Sequence, residues 1–194
     1  MHFARANLEP ALILAGRNNA KDARYARGIR FVLGSYTNHN ALIIPDSVAG
    51  GFCVGDTTAP RSSIVPLEAY ERLMNEEGYV VRIWRVRGLT DQERASVAYM
   101  WRTRCNNLPY ADHTVRRLAI FRIVNHLPFR LRIHGTWCSE NTARPFSLIL
   151  PLDRDPARKP NGKRKNNVTP RTFENRLVQG ILEDVTEEMI HDHC

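Results

Sequence analysis

Ala11-Leu12-Ile13-Leu14-Ala15 is a short apolar run after Pro10, and it predicts a buried first strand. Gly16 to Asn19 read as a turn. Ala20 to Val32 then reads as a helix, with Ala23, Ala26 or Arg27, Ile29 and Val32 near one face and Gly34-Ser35 ending it. Residues 36–44 predict the next strand, and residues 52–56 can pair back on it across the loop 47–51. Residues 57–63 look irregular. Pro66 suits a first helical position, followed by Leu67, Tyr70, Leu73 and Met74 at helical spacing up to Gly78. Residues 79–87 are rich in β-branched and aromatic side chains, with an imperfect alternation that suits a strand covered on both faces.

Thr90-Asp91-Gln92-Glu93 has the form of a capping box, and the helix it opens carries Ala95, Val97, Ala98, Trp101 and Cys105. Residues 106–110 read as a turn. A second amphipathic helix is expected over 114–125, broken by Pro128. Residues 153–168 hold three Pro or Gly, six basic residues and no aromatic, the composition of an extended linker. After Thr169-Pro170, the residues Phe173, Leu177, Val178, Ile181, Leu182, Val185 and Met189 fall on one helical stripe. This divides the chain into a domain over 1–151, a basic linker over 152–168 and a C-terminal amphipathic helix over 169–194.

Composition narrows the class. The chain has 194 residues, 43% of them hydrophobic, enough for one domain with a core of its own. No apolar run approaches the length of a membrane span, and the first residues lack the apolar segment of a secretory signal, so synthesis in the cytoplasm is expected. The four cysteines, at 53, 105, 138 and 194, are sparse for a disulfide scaffold, and no pair has zinc-ligand spacing. His191-Asp192-His193-Cys194 could collect metal adventitiously, but neither a structural metal nor a cofactor is expected. The net charge of +8 draws such a protein to polyanions such as nucleic acid or acidic cell-wall polymer. Arg158, Lys159, Lys163, Arg164 and Lys165 are the densest part of that charge.

Candidate chemistry centres on Trp137-Cys138-Ser139-Glu140, which reads as a cysteine placed where a helix begins. The unpaired N–H groups and positive dipole end of a helix push a thiol toward thiolate and can hold an oxyanion. A buried apolar cysteine is the competing reading. A nucleophilic cysteine needs a base. His2, His191 and His193 are terminal, His113 and His126 sit in polar or proline-flanked stretches, and His134 is only four residues from Cys138. His39 opens an apolar strand, where a sheet would hold its ring rigidly. A histidine satisfied by one hydrogen bond at a strand end is the alternative.

The order of these segments is specific: Ala11–Leu14, Ala20–Val32, Asn38-His39-Asn40-Ala41-Leu42-Ile43, Val54-Gly55-Asp56, Leu67–Leu73, Val80–Val86, Thr90–Arg104, Pro109-Tyr110 and Trp137-Cys138-Ser139-Glu140. Over about residues 8–150 it resembles the circularly permuted papain-like amidases, relatives of the NlpC-type cell-wall peptidases and the lecithin:retinol acyltransferase-like proteins. The resemblance implies an α+β, permuted papain-like fold, with a small antiparallel sheet packed against helices and the C-terminal linker and helix appended. It implies a cysteine hydrolase that cleaves a peptide, isopeptide or acyl-amide bond, with cell-wall peptide among the candidate substrates. Cys138 would be nucleophile and His39 base, with Asp56 the nearest carboxylate for the third role. Two departures stand out. Gly55-Asp56 replaces the family's Glu-Ala, and Pro145 is expected to shorten the helix after Cys138. The alternative function is a non-enzymatic basic assembly or nucleic-acid-binding protein, which a repurposed papain fold could also be. It would use the cluster 158–165 on a polyanion and the 169–190 helix on a protein partner or a second copy. No nucleic-acid motif is present, and no aromatics interleave with the basic cluster.

Overall fold

The computed structural model describes residues 1–20, 24–110, 137–151, 153–157 and 168–191. The expected helix over 114–125, the basic cluster 158–165, and His113, His126, His134, His193 and Cys194 lie outside the described residues. In chain order the elements are β1 (His2–Phe3), a 3-10 turn (Arg5–Asn7), β2 (Ile13–Asn18), α1 (Arg24–Leu33), β3 (His39–Pro45), β4 (Phe52–Thr57) and β5 (Ser62–Pro66). There follow α2 (Leu67–Glu76), β6 (Tyr79–Val86), α3 (Asp91–Met100), a π-helical turn (Trp101–Cys105), α4 (Cys138–Ile149), α5 (Pro170–Val178), β7 (Leu182–Asp184), α6 (Thr186–Met189) and β8 (Ile190–His191). The class is α+β, as expected. Six strands form an antiparallel sheet in the order β5-β4-β3-β2-β6-β7, and β1 pairs with β8.

Apolar side chains on both faces make the central strands read as near-continuous hydrophobic runs. Ile13, Ala15, Leu42, Ile44, Trp84 and Val86 join Val97, Trp101 and Phe146 in one core, on the side of α3 and α4. Leu12, Leu14, Ala41, Ile43, Val81 and Ile83 join Tyr70 and Met74 of α2 in the other. The alternation of β2, β3 and β6 between these cores is the period-two pattern of a pleated strand. Thr90 caps α3 through the anticipated box, its side chain accepting from the Glu93 backbone while the Glu93 carboxylate takes the Thr90 N–H.

Several local expectations are corrected by tertiary pairing. Residues 16–18 are strand rather than turn, because Gly16 pairs with both His39 and Val81, and a Cβ at 16 would sit 3.0 Å from the Tyr79 ring. The strand expected from 36 begins at His39. Ser62 and Ser63 extend β5 to Pro66, which ends that strand instead of opening α2. His2 and His191 are not loose ends but partners across β1 and β8. Pro145 does not stop α4: it removes one backbone donor, yet Ala143, Pro145 and Phe146 are buried and the helix runs on to Ile149.

The largest correction concerns the C-terminus. No single helix spans 169–194; α5 ends at Val178, Gly180 adopts a left-handed φ of 72°, and Leu182–Asp184 add to the edge of β6. Phe173 and Leu182 enter one core while Val185 and Met189 enter the other, so the two halves of the stripe go to opposite faces of the sheet. These side chains are buried within the chain itself and are not a surface awaiting a partner. Among the described residues, no helix is long and apolar enough to cross a membrane.

Candidate active site

Three elements converge at the start of β3. His39 is its first residue. One step beyond the Leu42–Gly55 pair, the antiparallel register sets Asp56 of β4 opposite Ala41, on the same face as His39 and diagonal to it. The imidazole Nε2 and the Asp56 carboxylate Oδ1 are 2.6 Å apart, with both residues buried. Asp56 Oδ1 also accepts the Thr57 N–H at 2.8 Å. With Nε2 committed to Asp56, the other ring nitrogen is the one available to a thiol.

Cys138 is the first residue of α4 and is buried. Trp137 is the N-cap residue without a side-chain capping bond, so no hydroxyl or carboxylate of its own covers the first N–H groups. The His39 ring and the Asn40 backbone N–H both favour the thiolate form of this sulfur. The Ser139 hydroxyl is 3.8 Å from that sulfur and donates to Asn40 Oδ1 at 2.9 Å. Asn141, one turn into α4, donates through Nδ2 to Thr57 Oγ1 at 2.8 Å and to the Cys105 carbonyl at 2.9 Å. Thr142 donates to the Asn40 carbonyl at 3.2 Å. The first turn of α4 is thereby tied to β3, β4 and the π-helical turn at once.

The electrostatics follow from this burial and pairing. Burial alone would disfavour the imidazolium, but the charges of Asp56 and Cys138 and the hydrogen bonds to both hold His39 well above 6.5. Burial would likewise raise the Cys138 thiol, and His39 with the Asn40 N–H overturns it, so Cys138 lies below the usual thiol value. The other described cysteines behave in the opposite way. Cys53 is pushed up to about 11 by burial and by its bond to Asp46, and Cys105 up to about 12 by burial. An imidazolium beside a thiolate, backed by a carboxylate, is an arrangement suited to nucleophilic chemistry.

His39, Asp56 and Cys138, chosen from the sequence, are thus brought together. The sequence did not single out Asn40, whose backbone N–H favours the Cys138 thiolate, nor Asn141 and Thr57, which seat the start of α4. It also missed Trp101, whose indole lies where a Cβ at Gly55 would come within 2.6–2.8 Å of the ring. That packing accounts for a glycine beside Asp56. Asn141 had no legible signal, because it stands among Ser139, Glu140 and Thr142 in an ordinary polar first turn. Among the described residues, no group of three or more His, Cys, Asp or Glu side chains could hold a metal ion.

No protein-family model matches the chain, and no curated protein matches it. A solved structure similar in fold is that of the metalloprotein yiiX from Escherichia coli O157:H7, DUF1105, with 13% sequence identity and a TM-score of 0.58. The alignment covers 91% of this chain and 96% of that one.

Proposed function

We propose that this protein is a papain-like cysteine hydrolase that cleaves an amide bond, with Cys138 as nucleophile, His39 as base and Asp56 orienting the imidazole. The observation that carries the reading is the buried set itself: a cysteine at a helix start, a histidine that lowers its thiol, and a carboxylate 2.6 Å from Nε2 of that histidine. The Cys138 thiolate adds to the amide carbonyl carbon. Backbone N–H groups at the start of α4 receive the oxyanion, because they lack partners within the helix. The C–N bond breaks as the His39 imidazolium gives its proton to the departing amine, leaving a thioester. Water then adds to the thioester as His39 takes its proton, and the carboxylic acid leaves with Cys138 restored as thiolate and His39 as imidazolium. A peptide, isopeptide or acyl-amide carbonyl each meets these requirements, cell-wall peptide included.

The similar solved structure is that of a metalloprotein, and its likeness bears on fold alone. The alternative of an assembly protein docking through its C-terminal stripe loses its main support, since Phe173, Leu182, Val185 and Met189 are buried in this chain.

The test is site-resolved iodoacetamide labelling against pH in wild type and His39→Ala. Cys138 should react far faster than Cys53 and Cys105 at neutral pH, with an apparent pKa below about 8.5 that rises in the variant. A slow Cys138, or a fast one indifferent to His39, would overturn the proposal.

A further inference from the structure

The residues from 168 to 174 touch both arms of the site. Trp137, immediately before the thiol, donates its indole Nε1–H to the Val168 backbone oxygen at 2.5 Å. Six residues later, the Glu174 side chain on α5 reaches the turn that feeds β3. Its Oε1 accepts from Ser35 Oγ and the Thr37 N–H at 2.8 Å each and from Thr37 Oγ1 at 2.9 Å, and its Oε2 accepts the Tyr36 N–H at 3.1 Å. Ser35 and Thr37 are buried, and Thr37 is two residues from His39.

Four hydrogen bonds to one carboxylate, two of them from consecutive backbone N–H groups, constrain that turn more than a surface latch would. The position is what matters. β4 pairs with β3 only from Leu42 onward, whereas His39 lies at the strand's open end, paired on one side to Gly16. What precedes His39 therefore sets where its backbone starts and where its ring points. Asn38 is itself tied down, its Oδ1 accepting the Asn18 N–H at 2.9 Å, so displacement of residues 35–37 has little slack to absorb it before His39. On the other arm, the Val168 oxygen holds the residue that sets the position of Cys138.

We propose that Glu174 is a positioning residue, and that segment 168–174 is a brace which holds the His39 and Cys138 arms of the site in place from opposite sides. The proposal rests on the cysteine–histidine reading above. It gives the C-terminal part of the chain a role in the chemistry: segment 168–174 holds together two elements separated by about a hundred residues of sequence, and it does so without touching the reacting atoms.

The experiment measures Cys138 alkylation against pH, together with thermal unfolding, in wild type, His39→Ala, Glu174→Ala and Glu174→Gln. Arg154→Ala serves as a destabilised control, since Arg154 pairs with Glu93 and the Gly88 carbonyl and with no residue of the site. Glu174→Ala should slow labelling near neutral pH by about ten- to a hundredfold, the penalty expected for a misplaced reacting group. Its apparent thiol pKa should climb toward about 8.5. Glu174→Gln keeps the shape and one full acceptor oxygen, and should fall between alanine and wild type; it decides the matter if the alanine variant does not fold. Glu174 variants that unfold at lower temperature yet keep the wild-type pH profile, as Arg154→Ala should, would overturn the positioning role. A wild-type Cys138 that is slow, or indifferent to His39, would instead remove the pair and the brace with it.

Discussion

Replacing Asp56 by asparagine tests the charge in the site while keeping its shape. The carboxylate oxygen is 2.6 Å from His39 Nε2, and the two residues are 3% and 8% exposed, so water screens the pair little. Placing the centres of charge about 4 Å apart in an effective dielectric of about 20 gives an attraction of about 4 kcal/mol. That is equivalent to about 3 pKa units on the imidazole. It is a ceiling, because the asparagine oxygen still accepts the Nε2–H, and measured effects of an adjacent opposite charge run at about 1–3 units. His39 should therefore titrate about 1–3 units lower in Asp56→Asn, followed by NMR of the labelled ring. The thiolate–imidazolium pair should weaken in step, and Cys138 alkylation below neutral pH should fall about ten- to a thousandfold. Superimposable His39 titrations in wild type and variant, with the variant folded, would show that the carboxylate does not support the imidazolium and would refute the argument.

Stability should report the same pair. His39, raised in the folded state, contributes stability that is complete below about 6.5 and is lost as pH rises through its raised value. Cys138, lowered, contributes stability that is complete above about 8.5 and is lost as pH falls through its lowered value. Between about 6.5 and 8.5 the two slopes oppose each other, so urea midpoints should be nearly level there, and in Cys138→Ala the alkaline decline should begin near 6.5 instead. Gly55→Ala drives a methyl to within 2.6 Å of the fully buried Trp101 ring. It should cost about 1–3 kcal/mol, or about 2–10 °C in Tm, and an unchanged melt would show that the indole has room to move. Leu182→Ala should cost about 2–5 kcal/mol by denaturant unfolding, because this side chain is 1% exposed in the main core; no loss would mean that β7 is not part of the folding unit.

Sequence alone determined what depends on near neighbours. The apolar runs at 11–15 and 79–86 predicted central strands because a strand covered on both faces needs apolar side chains on both. The box at Thr90 and Glu93 closed as written, since its partners are three residues apart. Cys138 at a helix start and His39 at a strand start were legible for the same reason: each is a local position with local chemistry. Tertiary structure decided the rest. The 2.6 Å approach of Asp56 depends on the register of β3 against β4, which no single strand encodes. The C-terminal stripe matched a helix in period, but the free edge of β6 offered backbone partners to residues 182–184, and Gly180 made the bend possible. Once the sheet stood between them, Leu182 and Met189 were drawn to opposite faces, an outcome that a one-dimensional pattern cannot represent. Glu174 gave no signal at all, because an acid on a helix surface is ordinary until the buried turn it faces, more than a hundred residues earlier, is folded against it.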